Sequence, residues 1–425
     1  MSADGDPAIS VIQGGGGPLW KEAVRGQPTG SYRNAQEALR CLGAEFSFNE
    51  FRQRAYVQWH LFGPAPVELG DRHLARLRKA IASRYEFDPT DRHLEAAARA
   101  LCEDRITDPR KAYFDGLVWD KRPRLDAWLC RYMGAEDTPL AREFGRKTLI
   151  AGVRRVRQPG CKFDTILVLE GDQGKGKSTA LSILAGDPEY FTDQDIIHLT
   201  AKEQQEAIAG KHIIEMAELA GLKRTDSERV KAFASRQVDR CRGAWQRFTI
   251  DQPRRCIMVA TTNSEDYLVD TTGNRRFWPV RTGAIDLEGL RDDVDQIWAE
   301  AALAERSGEA LFLDRELWTD AAHEQDERLE RHPWDDILSS LGSSYALRHG
   351  DSERALTSDL LTGKLNIPTA HLTRGHYLQL SRSMKRLGWR GPMDIRAGGK
   401  VVKGYERTFN EINDVAQIAL EADKF

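Results

Sequence analysis

The stretch Thr165-Ile166-Leu167-Val168-Leu169-Glu170-Gly171-Asp172-Gln173-Gly174-Lys175-Gly176-Lys177-Ser178-Thr179 decides the reading of this chain. Its first part is a short run of aliphatic and β-branched residues, the pattern of a buried strand. Its second part, residues 171–178, is a complete G-x-x-x-x-G-K-[ST] pattern, and a helical stretch over 178–185 follows. Strand, glycines and helix in that order form the context in which this pattern binds phosphate. Glycines let successive backbone N–H groups converge on phosphate oxygens, and the helix N-terminus adds positive potential. Gly171, Asp172, Gln173, Gly174, Lys175, Gly176, Lys177, Ser178 and Thr179 are therefore expected to bind ATP. Lys177 would neutralise the β- and γ-phosphates, and Ser178 would ligate Mg²⁺ through its hydroxyl.

Such a site also needs carboxylates on a nearby strand. Lys211-His212-Ile213-Ile214-Glu215-Met216-Ala217-Glu218 supplies them: an apolar run leads into Glu215, and Glu218 follows three residues later. Both are expected at the C-terminal end of the strand, where α/β proteins gather their ligands. Both are candidates for holding Mg²⁺ and polarising the attacking water, and the division of roles stays open. Cys256-Ile257-Met258-Val259-Ala260-Thr261-Thr262-Asn263 is another apolar run, ending in Asn263. An asparagine there suits a γ-phosphate sensor, although it is also a common turn residue. Thr272-Gly273-Asn274-Arg275-Arg276-Phe277-Trp278-Pro279-Val280 then places two arginines before an aromatic strand start. Arg275, with Arg276 as second choice, would suit an arginine finger; a structural arginine pair is the plainer alternative.

Outward from these motifs, strands predicted at 165–169, 212–216 and 256–260 alternate with helices at 178–185, 202–209 and 227–235. That alternation predicts an α/β fold with a parallel sheet. Upstream, residues 31–158 read as a helical N-terminal or collar domain, with helices at 35–42, 71–85, 91–104 and 139–156. Residues 1–30 are rich in Gly and Pro and read as a flexible tail. The phosphate-binding domain is expected over 159–332, with helices again at 287–307 and 316–331, and a small basic domain over 333–425.

At 425 residues the chain is long enough for two to three domains. Lys and Arg number 62 and Asp and Glu 65, so the net charge of −3 gives no overall basic signature, and nucleic-acid binding would need a local surface. No run of apolar residues is long enough for a membrane span, and the N-terminus does not read as a signal peptide. Six scattered cysteines without a C-x-x-C pair argue against a disulfide framework or a zinc site and fit a reducing cytoplasm.

The motif order is recognisable. LVLEGDQGKGKST, KHIIEMAEL, ERVKAFASRQVDRCRGAW, MVATTN and TGNRRFWPV together resemble the virulence-associated protein E family. These are phage- and island-encoded P-loop proteins similar to superfamily 3 helicases of the AAA+ class. The resemblance extends upstream through FDGLVWDKRPRL at 114–125 and QPGCKFD at 158–164. It implies an AAA+-like P-loop core in a hexameric ring. Walker A would lie at 171–178 and Walker B at Glu215 and Glu218, with Asn263 as sensor and Arg275 acting on the neighbouring subunit. It also implies a bacterial host cytoplasm. In place of an adjacent acidic pair this chain has Glu-Met-Ala-Glu. Many relatives carry a primase domain; no such catalytic cluster stands in the first 150 residues here, which leaves a separate primase as an open partner.

The interval between the Walker B segment and the sensor is basic. Over 229–247 six cations oppose Asp239, net +5. In superfamily 3 helicases this interval holds a pore hairpin, and the resemblance implies single-stranded DNA contacts for Arg236, Arg240, Arg242 and Arg247, with Trp245 stacking on a base. Over 374–407 nine cations oppose two acids, net +7, and a helix at 377–387 precedes a hairpin turned at 397–400. This resembles a winged helix with Arg382, Lys385 and Arg386 facing duplex DNA. The sequence therefore favours an ATP-driven DNA translocase or helicase of phage or mobile-element replication. An ATP-dependent switch that assembles on DNA without unwinding it is the alternative. A small-molecule kinase is disfavoured by the basic interval and the lack of a lid sequence. Replacing Arg240 and Arg242 together by Ala should weaken DNA binding and reduce its log-log salt slope by about one for each phosphate no longer neutralised. An unchanged slope in a salt titration would remove the hairpin from the DNA path.

Overall fold

The computed structural model describes residues 18–25, 27–219, 224–241, 249–269, 273–329, 332–342, 344–397 and 399–408. The chain divides into two units, 1–329 and 330–425.

The first unit opens with two short strands, β1 (Ala23–Val24) and β2 (Gln27–Pro28), paired antiparallel. Of the tail expected over 1–30, residues 1–17 and 26 lie outside the described residues, and 18–25 and 27–30 are built structure. Its anchor is Asn34, fully buried, whose amide meets Lys21 N, Glu22 N, Glu22 O and Thr29 O. Three helices follow around a small sheet: α1 (Tyr32–Cys41), β3 (Glu45–Asn49), β4 (Arg54–Gln58), β5 (Val67–Glu68), α2 (Asp71–Tyr85), α3 (Asp91–Glu103) and β6 (Ile106–Thr107). The sheet order β5-β4-β3-β6 corrects the all-helical reading of 31–158. Phe46 and Val57 sit opposite each other in the β3–β4 ladder and are both buried against Leu39, Leu77 and Leu94. Three further helices, α4 (Pro109–Gly116), α5 (Trp128–Met133) and α6 (Pro139–Arg157), share the core of the next layer instead of forming a separate collar.

That layer is a five-stranded parallel sheet. The elements in chain order are β7 (Ile166–Glu170), α7 (Lys177–Ala185), β8 (Phe191–Thr192), α8 (Ala201–Ile208), β9 (Ile213–Met216) and α9 (Arg224–Ser235). An antiparallel pair follows, β10 (Val238–Cys241) with β11 (Ile250–Pro253), then β12 (Ile257–Thr262), β13 (Phe277–Arg281), α10 (Leu287–Arg306) and α11 (Trp318–Glu327). The sheet order is β13-β7-β12-β9-β8, with every pairing parallel. Strands β7, β9 and β12 are buried along their whole length, which is why they read as unbroken apolar runs. Alternate residues feed two cores. Leu167, Leu169, Ile213, Val259 and Trp278 pack with α6, α7 and α10, while Ile166, Val168, Ile214, Met258 and Phe277 pack with α9.

The second unit contains α12 (Pro333–Ser339), β14 (Leu347–His349), β15 (Ser352–Leu356), α13 (Arg374–Arg386), β16 (Arg390–Ala397) and β17 (Lys400–Thr408). Its sheet is antiparallel, ordered β14-β15-β17-β16, over a core of Leu338, Leu361, Leu380, Trp389 and Tyr405. Among the described residues no helix is long and apolar enough to cross a membrane.

Glu309 joins α6 to the segment after α10: Arg146 Nη2 lies 2.7 Å and Lys147 Nζ 2.8 Å from its carboxylate oxygens. Burial would raise its pKa, but the hydrogen bonds from Arg146 and Lys147 outweigh burial and hold it down at about 2. A carboxylate depressed in the fold stabilises above its unfolded pKa and loses that contribution as pH falls through the folded one. The melting-temperature gap between wild type and Glu309→Gln should therefore be full above about pH 4.5 and close towards pH 2. A pH-independent gap would assign the effect to packing.

Candidate functional site

Parallel pairing brings the C-terminal ends of β7, β9 and β12 to one edge. Glu170 of β7 pairs with Thr262 of β12, and Ala260 of β12 with Met216 of β9. The glycine loop leaves β7 at Gly171, whose N–H donates to Thr262 O at 3.1 Å. Gly171 has φ +151° and lies so close to Thr282 that a Cβ would stand 2.6 Å from its Oγ1. Gly176, at φ +95°, caps α7, which starts at Lys177. The left-handed backbone favours glycine at that cap. The loop therefore ends on the positive end of a helix.

Lys177 is buried, and its ammonium is held over the loop by Gly171 O at 2.5 Å and Asp172 O at 2.8 Å. Burial pulls its pKa below the ordinary lysine value, against the opposing pull of Asp172 and Glu215. Asp172, Gln173, Gly174, Lys175, Ser178 and Thr179 are exposed around it.

Glu215 is 1% exposed, on β9. Its Oε1 accepts from Ser178 Oγ at 2.7 Å and from Thr261 Oγ1 at 2.6 Å. Its Oε2 is buried and has no hydrogen-bond partner. An unsatisfied buried carboxylate oxygen beside a hydroxyl fits the oxygen donors a small divalent cation takes. Among the described residues no cluster of three or more His, Cys, Asp and Glu stands as an alternative metal centre. Glu218 is exposed, at φ +57°, and the following Leu219 N–H points to Thr261 O at 3.5 Å. Asn263 is exposed directly after β12, on the same edge as the loop.

Arg275 and Arg276 do not join this group. They precede β13, and Phe277 pairs with Ile166, the first residue of β7. The whole of β7, residues Ile166–Glu170, separates them from Gly171 along the strand direction. Arg275 is exposed; Arg276 Nε lies 3.3 Å from Asp164.

The basic stretch divides into structural and exposed cations. Residues 236–253 contain the expected antiparallel pair, but its second strand begins at Ile250, beyond the predicted stretch. Asp239, its single acid, is buried against Arg254, with Nη2 to Oδ1 at 3.0 Å. Arg236 donates to Gln204 at 3.3 Å, and Arg240 is exposed 3.8 Å from Asp251. Arg242, Trp245 and Arg247 lie outside the described residues. In the second unit Arg386 is ion-paired with Asp335 of α12, which gives it a structural task; Lys385 is exposed and Arg382 half-buried on α13.

A buried cluster behind the loop has no signature in the sequence. Arg328 grips Glu170 with two bonds, Nε to Oε1 at 2.7 Å and Nη2 to Oε2 at 2.9 Å. Tyr267 donates to Glu170 Oε1 at 2.6 Å, and burial together with that carboxylate pushes its phenol pKa up, so it stays protonated. Glu170 is the residue immediately before the loop.

These features define a class: a parallel α/β protein whose glycine loop, helix N-terminus and buried lysine form an anion-accepting cradle. Within that class the chain belongs to the virulence-associated protein E-like family, whose domain matches residues 114–330. No curated protein matches the chain. Two solved apo structures of the NrS-1 C-terminal region are similar to it at 10% identity, covering 87% of this chain and 98% of theirs, with TM-scores of 0.44 and 0.45.

Replacing Arg328 by Met would leave the Glu170 carboxylate buried without its partner. Removing one member of a buried pair costs roughly 3–5 kcal/mol. A large drop in denaturation midpoint is expected, and a drop below about 1 kcal/mol would show that water or Arg281 replaces the pairing.

Proposed function

We propose that this protein is an ATP-hydrolysing DNA translocase or helicase of phage or mobile-element replication, built on an AAA+-like P-loop core and working as a ring. The observation that carries the reading is the Glu215 carboxylate. It accepts a hydrogen bond from Ser178 at the head of α7 and keeps one buried oxygen unsatisfied beside the Lys177 ammonium's loop. The sheet order supports it, because β12 stands between β7 and β9 and sets Thr261 and Asn263 between the loop and Glu215.

In this reading the loop N–H groups and Lys177 bind the β- and γ-phosphates of ATP. Ser178 and Glu215 would hold Mg²⁺, which supplies charge neutralisation when bound. The exposed Glu218 stands at the same strand end as the candidate for orienting water, and Asn263 reads the γ-phosphate. Arg275 serves a neighbouring copy, because it lies at the opposite edge from its own loop. Single-stranded DNA would meet Arg236, just before β10, and Arg240 on the β10–β11 pair. The second unit's helix–hairpin–helix–hairpin order supports a winged-helix reading, with Arg382 and Lys385 facing duplex DNA.

An ATP-dependent assembly switch is the second reading. It is favoured by one feature: Glu215 is flanked on β9 by Ile214 and Met216, so no second carboxylate adjoins it. ATP turnover by wild type and Lys177→Ala, with and without single-stranded DNA, separates the two. Turnover that rises with DNA and falls at least about a hundredfold in the variant supports the motor. ATP-dependent assembly with little turnover supports the switch, and full activity in Lys177→Ala would remove the loop from the chemistry.

A further inference from the structure

Helix α2 turns Leu77 and Ile81 into the core shared with α1 and α3 and presents Arg72, Arg76 and Lys79 outward. At 3.6 residues per turn these three and Ser83 fall within an arc of about 60°. All four are exposed. Like charges at i and i+4 repel, so the stripe does not serve the helix itself. Among the described residues none of the three cations is in an ion pair. Arg40, Arg54, Arg78, Arg99 and Arg105, in the same part of the chain, each reach a carboxylate. Residues 57–85 hold five cations against Glu68 and Asp71, net +3, in a chain of net −3.

A ledge lies beside the stripe. Residues 60–66 join β4 to β5 and contain no acid. His60 and Leu61 are exposed there, Leu61 at 52%. Arg76 ties this turn to the helix. Its Nη2 donates to Leu61 O at 3.0 Å, and its guanidinium lies over the Phe62 ring, 5.0 Å from the centroid. Phe62 in turn packs edge-on against Trp59 and His73. The ledge is thus fixed to α2 by a hydrogen bond and by packing.

We propose that α2 and this turn form a further binding surface for single-stranded nucleic acid. Arg72, Arg76 and Lys79 meet the phosphates, and His60 and Leu61 meet the bases. The surface adds a contact region to the DNA path proposed above, and it needs neither ATP turnover nor a ring. From Arg72 to Lys79 the helix rises about 10.5 Å, a length over which one stacked strand carries about three phosphates. A run of carboxylates would match the cations alone. A single strand offers a charged backbone and open base faces side by side, which suits a cation row next to an imidazole and an apolar side chain. A duplex turns its bases inward, away from such a ledge.

Fluorescence anisotropy of a labelled oligo-dT with the full chain, without ATP and across a salt series, tests the surface. Arg72→Gln with Arg76→Gln and Lys79→Gln should bind at least about tenfold more weakly at low salt. Its log-log salt slope should be shallower by about two, since each phosphate contact on a single strand contributes about 0.7. Arg72→Gln with Lys79→Gln leaves Arg76 on Phe62 and should keep the melting temperature of wild type while losing part of the slope. His60→Ala with Leu61→Ala should bind about threefold more weakly with the slope unchanged, the mark of lost base contact. Weakened binding in the stripe variants, with turnover in no sample, upholds the surface and removes only the motor reading. DNA-stimulated turnover with unchanged binding in the stripe variants upholds the motor and overturns the surface. A wild type that binds no oligo-dT overturns it as well. Equal loss on a duplex of the same length assigns the stripe to duplex backbone, and displacement of oligo-dT by polyglutamate at matched charge assigns it to an acidic protein; either result overturns the proposal.

Discussion

All five strands of the central sheet run in one direction, and that constraint sorts the chemistry of the molecule. Parallel strands end together, so the polar residues that close each apolar run collect along one edge. Gly171, Glu215 and Asn263 come from three separate runs, yet a common strand direction delivers them to neighbouring positions. The same constraint sends residues that precede a strand to the other edge. Arg275 and Arg276 are there because they come before β13, not after it. A sheet with one reversed strand would have mixed these two sets.

The loop edge is then stiffened from behind. Glu215 takes hydrogen bonds from α7 and β12 at once, which fixes the helix start relative to the strand ends. Glu170 does the equivalent work one residue before the loop, held by Arg328 and Tyr267, and its carbonyl accepts from Thr282 Oγ1 at 2.6 Å. A buried ion pair of this kind gives little net stability over an apolar substitute, but its geometry is strict. The cradle is thus bounded on three sides by bonds whose directions leave its backbone few alternatives.

Much of this is legible in the sequence, for identifiable reasons. The strands β7, β9 and β12 are readable because burial on both faces leaves no polar interruption, and α2 falls on its predicted residues because its apolar stripe is regular. Glycine loop, Glu215 and Asn263 are readable because each follows an apolar run. The β3–β4 hairpin is not, although Phe46 and Phe48 alternate with polar residues; five-residue strands between strong helical stretches carry too few periods to stand out. Arg328 is invisible in principle. It meets Glu170 across 158 residues, and nothing local marks the arginine that follows a charged helix as the one turned inward. Arg386 shows the same thing in reverse: a cation counted into a basic surface is already claimed by Asp335.

Arg328 stands immediately before Leu329, the last residue of the first unit. Its carbonyl accepts from Tyr267 N at 3.2 Å and from Leu268 N at 2.9 Å, while its side chain holds Glu170. The covalent path from the second unit therefore enters the first through a residue that is fastened on both its backbone and its side chain. Pulling Arg328 out of place would thus disturb Glu170, the residue immediately before the glycine loop.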